Sequence, residues 1–279
     1  MSPLLYECSY ENKMLTVLTV NIGAAALQRA KTLLVWLSKR SEDIFILTET
    51  SSGSGTKYLL EKFRQAGFHV IHNPDSDRGV ALVSRVRVVE DLCDQLTGIS
   101  IPGRIACAAL DTTPRIAVLG VYVPSRDRTI AKTEKKETFI ATLLQALGKL
   151  PPSLREHMII GGDYNVIGRD HQPLRRGFLL FEFDLLEALE ALSFLDAHEL
   201  CHPGTQVYSW IGRTGDGYRY DYFHVASSLQ ASLRGCTYLH ETREQCLTDH
   251  AAVRLQIKVD RMTWLYTMNP SVSSILSLF

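Results

Sequence analysis

The chain has 279 residues, 46% of them apolar and 22% charged, and its 30 basic residues balance its 30 acidic residues. This composition is typical of a folded globular protein and excludes a disordered chain. No apolar run approaches the ~20 residues that cross a bilayer, and no basic region precedes an apolar stretch at the N-terminus, so we expect neither a membrane span nor a secretory signal. The expected location is the cytoplasm, or the nucleus if the source is a eukaryote.

Apolar runs and amphipathic segments alternate along the sequence. In chain order, the patterns predict a strand at 15–20, a helix at 27–38, a strand at 43–50, a helix at 57–66, strands at 79–84, 105–110 and 116–123, a helix at 134–147, a strand at 157–160, a helix at 183–192 and a strand at 251–257. By itself this alternation indicates an α/β or α+β protein. Because no repeat or low-complexity linker interrupts it, we expect a single domain over residues 1–260, followed by a tail at 261–279.

Polar side chains end the first two predicted strands. Asn21 follows the strand at 15–20, and Glu49 lies near the end of the strand at 43–50. The Ser- and Gly-rich stretch 51–55 comes next, and we expect it to be a flexible loop at the mouth of a site. Strand-end oxygens of this kind suit a hard divalent cation such as Mg²⁺, so Glu49 is a candidate metal ligand.

The most informative motif is the run from Gly161 to Asn165, with the sequence GGDYN, directly after an apolar strand. Such a run presents Asp163 and Asn165 at the rim of a sheet, on a backbone that two glycines leave open to a substrate. Further motifs of matching type carry Tyr122 in the run 120–125, Asp221 in the run 218–223, and the adjacent pair Asp249 and His250. An Asp–His pair can offer a carboxylate to a metal and an imidazole to a phosphate oxygen.

Taken together and in this order, these motifs resemble the signature of the endonuclease/exonuclease/phosphatase superfamily, and most of all its branch of exonuclease III and apurinic/apyrimidinic endonucleases. The resemblance extends from about residue 15 to residue 257. It implies a four-layer α/β sandwich of the DNase I type, with two packed mixed sheets and helices outside. It also implies a Mg²⁺-dependent phosphoesterase, in which Mn²⁺ can substitute for Mg²⁺, with DNA as the expected partner.

The resemblance further implies a role for each motif residue. The metal ligands are Asn21, Glu49 and Asp249. Asp163 orients or deprotonates the attacking water, and Asn165 supports it. Tyr122 and His250 contact the phosphate, and Asp221 fixes the tautomer of His250 and favours its protonated form. A phosphodiester repels nucleophiles through its own negative charge. Its hydrolysis therefore needs a cation on the phosphate, a positioned water and relief of charge on the leaving oxygen, and these residues supply all three.

Candidate substrate-binding residues lie in the loops around the motifs. They are Arg126, Arg169, Arg175 and Arg176 in loops after the strands, Trp210 and Tyr218 as walls of an apolar pocket, and Arg219 two residues before Asp221. The zero net charge, however, lacks the basic character that is usual in nucleic-acid-binding proteins.

The first hypothesis is a DNA repair nuclease with abasic-site endonuclease activity, 3′–5′ exonuclease activity, or both. One alternative is a phosphatase or phosphodiesterase that acts on a small molecule, a lipid or RNA. Others are a retroelement-type endonuclease and, from a different class, a catalytically silent interaction module.

The C-terminal tail is too apolar for a solvated terminus. Its large apolar residues are Trp264, Leu265, Tyr266, Ile275, Leu276, Leu278 and Phe279. We expect the tail to dock on its own domain in a monomer, and the alternative is a partner or dimer contact through the tail.

Overall fold

The protein is described by a computed structural model over residues 13–73, 78–175 and 177–272. The strands are β1 (Lys13–Asn21), β2 (Ile44–Thr50), β3 (His69–His72), β4 (Gly79–Ser84), β5 (Val88–Asp91), β6 (Ile105–Leu110), β7 (Thr112–Thr113), β8 (Ala117–Tyr122), β9 (Met158–Asp163), β10 (Phe194–Asp196), β11 (Trp210–Ile211), β12 (Gly217–Tyr218), β13 (Asp221–Ala226), β14 (Leu233–Leu239), β15 (Ala252–Val259) and β16 (Arg261–Met262). The helices are α1 (Leu27–Ser38), α2 (Ser54–Gln65), α3 (Ile130–Lys149), α4 (Pro152–Arg155), α5 (Leu180–Ala191), α6 (Ala197–Cys201) and α7 (Glu241–Glu244).

Every strand and helix predicted from the sequence is present, with ends shifted by a few residues. The predicted loop at 51–55 is too long, because α2 already begins at Ser54. Gly55 explains the early start: a Cβ at this position would lie 1.8 Å from the carbonyl oxygen of Ala25. Glycine thus lets the first turn of α2 pack directly on the backbone that precedes α1.

Two six-stranded mixed sheets form the centre of the fold, which confirms the expected DNase I type. Their strand orders are β14-β15-β1-β2-β4-β3 and β10-β13-β9-β8-β6-β5. In each sheet the only parallel pair among the described strands is central, β1 with β2 and β8 with β9, and antiparallel strands flank it. The two sheets therefore repeat one plan.

Alternation of side chains along the strands separates four layers. Leu15 and Val17 of β1 belong to the core between the sheets, whereas Leu18 and Val20 pack with α1 and α2. On the other side, α3 and α5 contact each other and join the core around the second sheet. The sheets approach closely at Gly120 of β8, where a Cβ would lie 2.7 Å from the side chain of Ile46.

This plan brings the polar strand ends to one edge of the sandwich. The C-terminal ends of the two parallel pairs carry Asn21, Glu49, Tyr122 and Asp163. The two neighbouring antiparallel strands begin at the same edge: Asp221 pairs directly with Asp163, and β15 starts two residues after His250, beside the end of β1.

The described part of the tail, residues 261–272, docks on its own domain, as expected. Strand β16 pairs with β7, and the Trp264 indole donates to the Asp43 carboxylate (3.0 Å). Ile275, Leu276, Leu278 and Phe279 lie outside the described residues. Within the described ranges, no helix is long and apolar enough to span a membrane.

Candidate active site

Four buried side chains form a connected polar group at this edge. Nδ2 of Asn21 donates to Oδ2 of Asp163 (2.8 Å) and lies 3.5 Å from Nε2 of His250. Nδ1 of His250 lies 2.7 Å from Oδ2 of Asp221. All four residues are at most 6% exposed, so their mutual interactions are little screened by solvent.

The charges in this group shift its proton affinities in opposite senses. Burial alone lowers the pKa of His250, but the carboxylates of Asp221, Asp163 and Asp249 more than offset burial and raise that pKa to about 10. Burial raises the pKa of Asp163 to about 8, and the neighbouring charge of Asp221 adds to the increase. The imidazole is therefore a cation near neutral pH, hydrogen-bonded to one carboxylate and close to a second.

Glu49 departs from the regular alternation of β2. Phe45 and Leu47 face the helices, so a regular strand would turn Glu49 to the same side. Instead the register between β2 and β4 skips Glu49, whose φ is +53°. This bulge directs the carboxylate toward the second sheet, where it accepts hydrogen bonds from the Tyr122 hydroxyl and from Nη1 of Arg78 (2.8 Å). Tyr122 thus donates to Glu49, and the phosphate contact that the family resemblance implies for Tyr122 stays a prediction.

Asp249 is held by an aromatic residue at the rim. Its Oδ2 accepts from Nε1 of Trp210 (3.0 Å), and Trp210 also pairs through its backbone with His250. Burial acts to raise the pKa of Asp249, but the His250 charge and the Trp210 hydrogen bond lower it below the usual value. The neighbouring Ser209 ties the two motifs together, since its hydroxyl accepts from the backbone N–H of Asp221 (3.1 Å) and its carbonyl from the residue after His250.

The two glycines before Asp163 serve a different purpose from the one we inferred. They lie inside β9 and are not open to a substrate: a Cβ at Gly162 would lie 1.9 Å from the carbonyl oxygen of Val121, and one at Gly161 would lie 2.3 Å from the ring of Phe223. Gly162 also has a φ of +145°. The glycines therefore permit close packing around the strand whose last residue is Asp163.

Asn165 occupies a tight turn directly after β9. Its φ is +50°, its N–H donates to Oδ1 of Asp163 (2.9 Å), and its side-chain Nδ2 donates to the carbonyl of Val123 (3.1 Å). The Nζ of Lys136 donates to the Asn165 carbonyl (2.6 Å). The N–H, the carbonyl and the side-chain Nδ2 of Asn165 are thus each directed by a specific partner.

Arg78, Lys136 and Arg104 are cations near the site that sequence reasoning missed. Arg78 binds Glu49, Lys136 binds the Asn165 turn, and the guanidinium of Arg104 stacks 4.4 Å from the centre of the Tyr122 ring. A signal existed for Lys136, which lies three and four residues before the buried Phe139 and Ile140 and so falls on the apolar face of α3. Arg78 and Arg104 have no comparable sequence signal.

The arginines proposed from sequence as substrate contacts are mostly committed to internal ion pairs. The carboxylate partners are Glu182 for Arg126, Asp184 and Glu187 for Arg169, Asp216 for Arg175 and Asp196 for Arg219. The side chains of Arg126 and Arg219 are nearly buried and point into the protein, and their contact with substrate stays a prediction. Arg169 lines a separate cavity with His224, on the face of β13 opposite to Asp221. Arg176 lies outside the described residues.

Four half-buried rings form a continuous aromatic surface beside Asp249, made of Phe178, Trp210, Tyr218 and Tyr220. Tyr218 and Tyr220 stack with ring centres 5.2 Å apart, and Trp210 lies 5.6 and 5.8 Å from them. Trp210 and Tyr218 are cross-strand neighbours in the hairpin of β11 and β12. Arg175 stacks on Tyr218 at 4.9 Å, so this arginine stays at the surface where we predicted substrate to bind.

Glu49 and Asp249 line one open cavity of about 590 Å³. Arg29 and Arg243, neither of them selected from the sequence, line the same cavity. Each guanidinium is anchored to backbone carbonyls, Arg29 to Gly23 and Arg243 to the residues at 208 and 209. The cavity thus combines two carboxylates with two fixed positive charges.

The donor atoms at this edge fit a metal ion. Asp163, Asp221 and His250 have ligand atoms within 4.8 Å of one another and form a group that could hold one, and Oδ1 of Asp221 is buried without a described partner. A protonated His250 cannot serve as a ligand, however. Glu49 and Asp249 supply the oxygen atoms that a hard ion prefers, and Glu49 already attracts the cationic Arg78.

The sequence matches the Endonuclease/Exonuclease/phosphatase family over residues 18–250. The chain belongs to this family. The resemblance inferred from the motifs is thereby confirmed, and the protein is a phosphoesterase of the metal-dependent type. No curated protein shows a significant match to the sequence.

Solved structures with the same fold include DNA-processing enzymes of this family. A 3′ phosphatase from Neisseria, NExo, bound to product DNA hairpin, has a TM-score of 0.69 and 20% identity. An AP endonuclease from Archaeoglobus fulgidus has a TM-score of 0.70 and 19% identity, and the 3′–5′ exonuclease NExo from Neisseria meningitidis has a TM-score of 0.70 and 20% identity. Each comparison covers 87% of this chain and 99% of the other.

Proposed function

We propose that the protein is a Mg²⁺-dependent phosphodiesterase that hydrolyses DNA, as a repair nuclease that cleaves at abasic sites, removes 3′ ends, or does both. One observation carries this proposal. The His250–Asp221 pair lies in the same buried group as the Asn21–Asp163 pair, with Nε2 of His250 3.5 Å from Nδ2 of Asn21, and this group lies at the rim beside the aromatic surface.

The chain's own groups meet the needs of phosphodiester hydrolysis. Asp163, whose Oδ1 is fixed by the Asn165 N–H, accepts a proton from the attacking water. The imidazolium of His250 donates a hydrogen bond to a phosphate oxygen and stabilises the charge that develops there. Asp221 holds Nδ1 of His250, which fixes the ring and keeps it protonated.

We assign the metal to Glu49, Asn21 and Asp249. When bound there, Mg²⁺ neutralises phosphate charge as a Lewis acid, and Mn²⁺ is expected to substitute for it. Tyr122 orients Glu49 through its hydroxyl, and Trp210 orients Asp249 through its indole N–H. An ion held by these residues would also lower the pKa of Asp163 and so favour the carboxylate form that accepts the proton.

The aromatic surface favours DNA as substrate. Half-buried aromatic rings beside a phosphate-cleaving group can pack against an extruded sugar or an unpaired base. Arg29 and Arg243 supply fixed positive charge next to the metal ligands, where a flanking phosphate would lie. The two Neisseria structures and the Archaeoglobus structure, described as 3′ phosphatase, 3′–5′ exonuclease and AP endonuclease, agree in type with such a substrate.

A second candidate is a phosphatase or phosphodiesterase for a small phosphoester, a lipid or RNA. Its support is electrostatic: the net charge is zero, and Arg126, Arg169 and Arg219 are neutralised by acidic partners. A long duplex is usually bound by an extended basic face, whereas a small substrate needs only the charges within the cavity.

One panel of substrates tests the proposal. The protein is incubated with Mg²⁺ and a duplex that carries one abasic analogue, an undamaged duplex, a duplex with a 3′ phosphate, single-stranded DNA, RNA and an inositol phosphate. Asp163→Asn serves as the inactive variant, and Asp260→Asn, an exposed carboxylate elsewhere, is its matched control.

We expect cleavage of the abasic duplex or removal of 3′ ends, abolished by EDTA and by Asp163→Asn and retained by Asp260→Asn. Turnover of the inositol phosphate or RNA alone would select the second candidate. If no phosphoester is cleaved, or if cleavage persists in EDTA, the proposed function is wrong.

A further inference from the structure

Lys136 is a lysine in the interior of the protein. It lies on α3, is 1% exposed, and its Nζ donates to Oε1 of Glu182 and to the carbonyl of Asn165, both at 2.6 Å. Burial of the ammonium lowers the pKa of Lys136. Because a charged group is costly to bury, its partners must supply a strong and specific compensation.

The ion pair with Glu182 does not by itself require Lys136. Oε2 of Glu182 already accepts from Nε of Arg126 (3.0 Å) and from the N–H of Leu179 (2.8 Å). Arg126 and Glu182 would therefore form a neutral buried pair without a second cation. Lys136 makes the cluster net positive, and its other described bond is to the Asn165 carbonyl.

The turn at Asn165 needs such an anchor. A φ of +50° is a left-handed conformation that a residue other than glycine adopts only when its surroundings hold it. The N–H and the side-chain Nδ2 of Asn165 are directed to Asp163 and Val123, and the carbonyl is directed to Lys136. Lys136 thus fixes the Asn165 carbonyl, which the bonds from the N–H and the side-chain Nδ2 do not hold.

We propose that Lys136 is a positioning residue of the active site, which acts by holding the turn that presents the Asn165 side chain. This inference rests on the phosphoesterase function proposed above and on the role that the family resemblance implies for Asn165, which is to support the attacking water together with Asp163. Among the described residues, Lys136 forms no hydrogen bond to the side chain of Asp163 or Asn165, and its contact with the site is through the Asn165 carbonyl. Removal of its ammonium should let the turn relax, and small displacements of catalytic groups reduce turnover strongly.

The test is a double-mutant cycle between Lys136→Met and Asn165→Gly. Methionine keeps the volume and leaves the Arg126–Glu182 pair intact, and glycine removes the asparagine side chain without adding strain at positive φ. We expect Lys136→Met to lower kcat by about 10- to 100-fold with little change in KM in the wild-type background, and by less than about 3-fold in the Asn165→Gly background. Equal factors in both backgrounds would overturn the proposal, because a purely structural lysine lowers activity irrespective of Asn165.

A matched control separates positioning from loss of stability. Arg40→Met also removes a cation from a buried carboxylate, Glu42, but at the opposite end of β2 from Glu49. We expect it to lower stability and to leave kcat unchanged in both backgrounds. If Lys136→Met does not fold, Lys136→Gln, which keeps a donor group, takes its place in the cycle.

Hydrogen exchange provides a readout that does not depend on turnover. In Lys136→Met, amide exchange should accelerate in residues 163–166, and it should stay unchanged there in Arg40→Met. Unchanged exchange in this segment would contradict the proposal. Absence of activity in the wild-type protein would instead refute the proposed function, and the exchange experiment would still decide whether Lys136 holds the turn.

Discussion

The hydrogen bond between His250 and Asp221 makes a quantitative prediction about pH. The pKa of His250 is raised from 6.5 to about 10, with Asp221 as its strongest favourable partner. In Asp221→Asn the negative charge is lost, while burial still lowers the pKa and Asp163 and Asp249 still raise it. We therefore expect the pKa of His250 in this variant to fall from about 10 toward its ordinary value of 6.5.

The expected effect follows from the protonated fraction. At pH 8, a pKa of about 10 leaves about 99% of the imidazole protonated, whereas the ordinary pKa of 6.5 would leave only about 3%. If the imidazolium is the active form, kcat of Asp221→Asn should fall by up to about 30-fold at pH 8 and by less than about 2-fold at pH 6. His250→Ala should be worse at both pH values, because it removes the group itself.

Asp221→Asn should also shift the acid limb of the pH profile, which depends on the pKa of Asp163. The charge of Asp221 contributes to the raised pKa of Asp163, so its loss lowers that pKa, and the carboxylate form becomes available at lower pH. Both limbs of the bell-shaped profile should therefore shift toward acid together.

The assay is kcat against pH from 6 to 10 for the wild-type protein, Asp221→Asn and His250→Ala. In parallel, ¹⁵N NMR follows the imidazole signals, with the spectrum of His250→Ala identifying the His250 resonance. A defect of Asp221→Asn that is constant from pH 6 to pH 9, or a His250 pKa that remains near 10 in this variant, would refute the reasoning.

Three further predictions follow from the described contacts. Glu49→Gln should weaken Mn²⁺ binding measured by calorimetry, whereas the same change at the half-buried Glu90, which pairs with Arg115 away from the site, should not. Equal affinities of the two variants would contradict the assignment of the metal to Glu49. Arg126→Met should lower the free energy of unfolding by about 3 kcal/mol, because the buried Glu182 loses one of its two cations. A raised KM at unchanged stability would show instead that Arg126 contacts substrate. Truncation after Asp260 removes backbone hydrogen bonds to residues 66, 85, 87 and 111 together with the buried Met262. The melting temperature should therefore fall by about 10 °C, while the folded fraction keeps its kcat. Loss of all cleavage at unchanged stability would place the tail in the active site.

The strands and the chemistry at their ends were readable in the sequence because both are local. Alternating or continuous apolar runs located β1, β2, β8, β9 and β15, and the polar residues of each motif lie next to one end of the run in sequence. The order of these motifs was sufficient to recognise the family, which the match over residues 18–250 confirms. The assignment of individual catalytic and metal-binding roles remains a prediction.

The partners of isolated arginines and tyrosines could not be predicted from the sequence. Arg126 and Arg219 follow motifs closely in sequence, which made them candidates for substrate contacts, yet both are paired with carboxylates inside the protein. A long side chain can reach in several directions, and the sequence does not contain its partner's position. Tyr122 is a similar case, since its hydroxyl meets Glu49, 73 residues away.

The sequence by itself determined the elements, the family and the set of groups available for chemistry. Only the tertiary structure decided how these groups meet: Asn21 bonds to Asp163 across 142 residues, and a bulge turns Glu49 away from the side that strand alternation would give it. The physical reason is the separation along the chain over which each kind of interaction acts. Periodicity and turn preferences act over a few residues, whereas the pairing of strands, the bulge and the partners of buried charges depend on atoms that only the packing of the two sheets brings together.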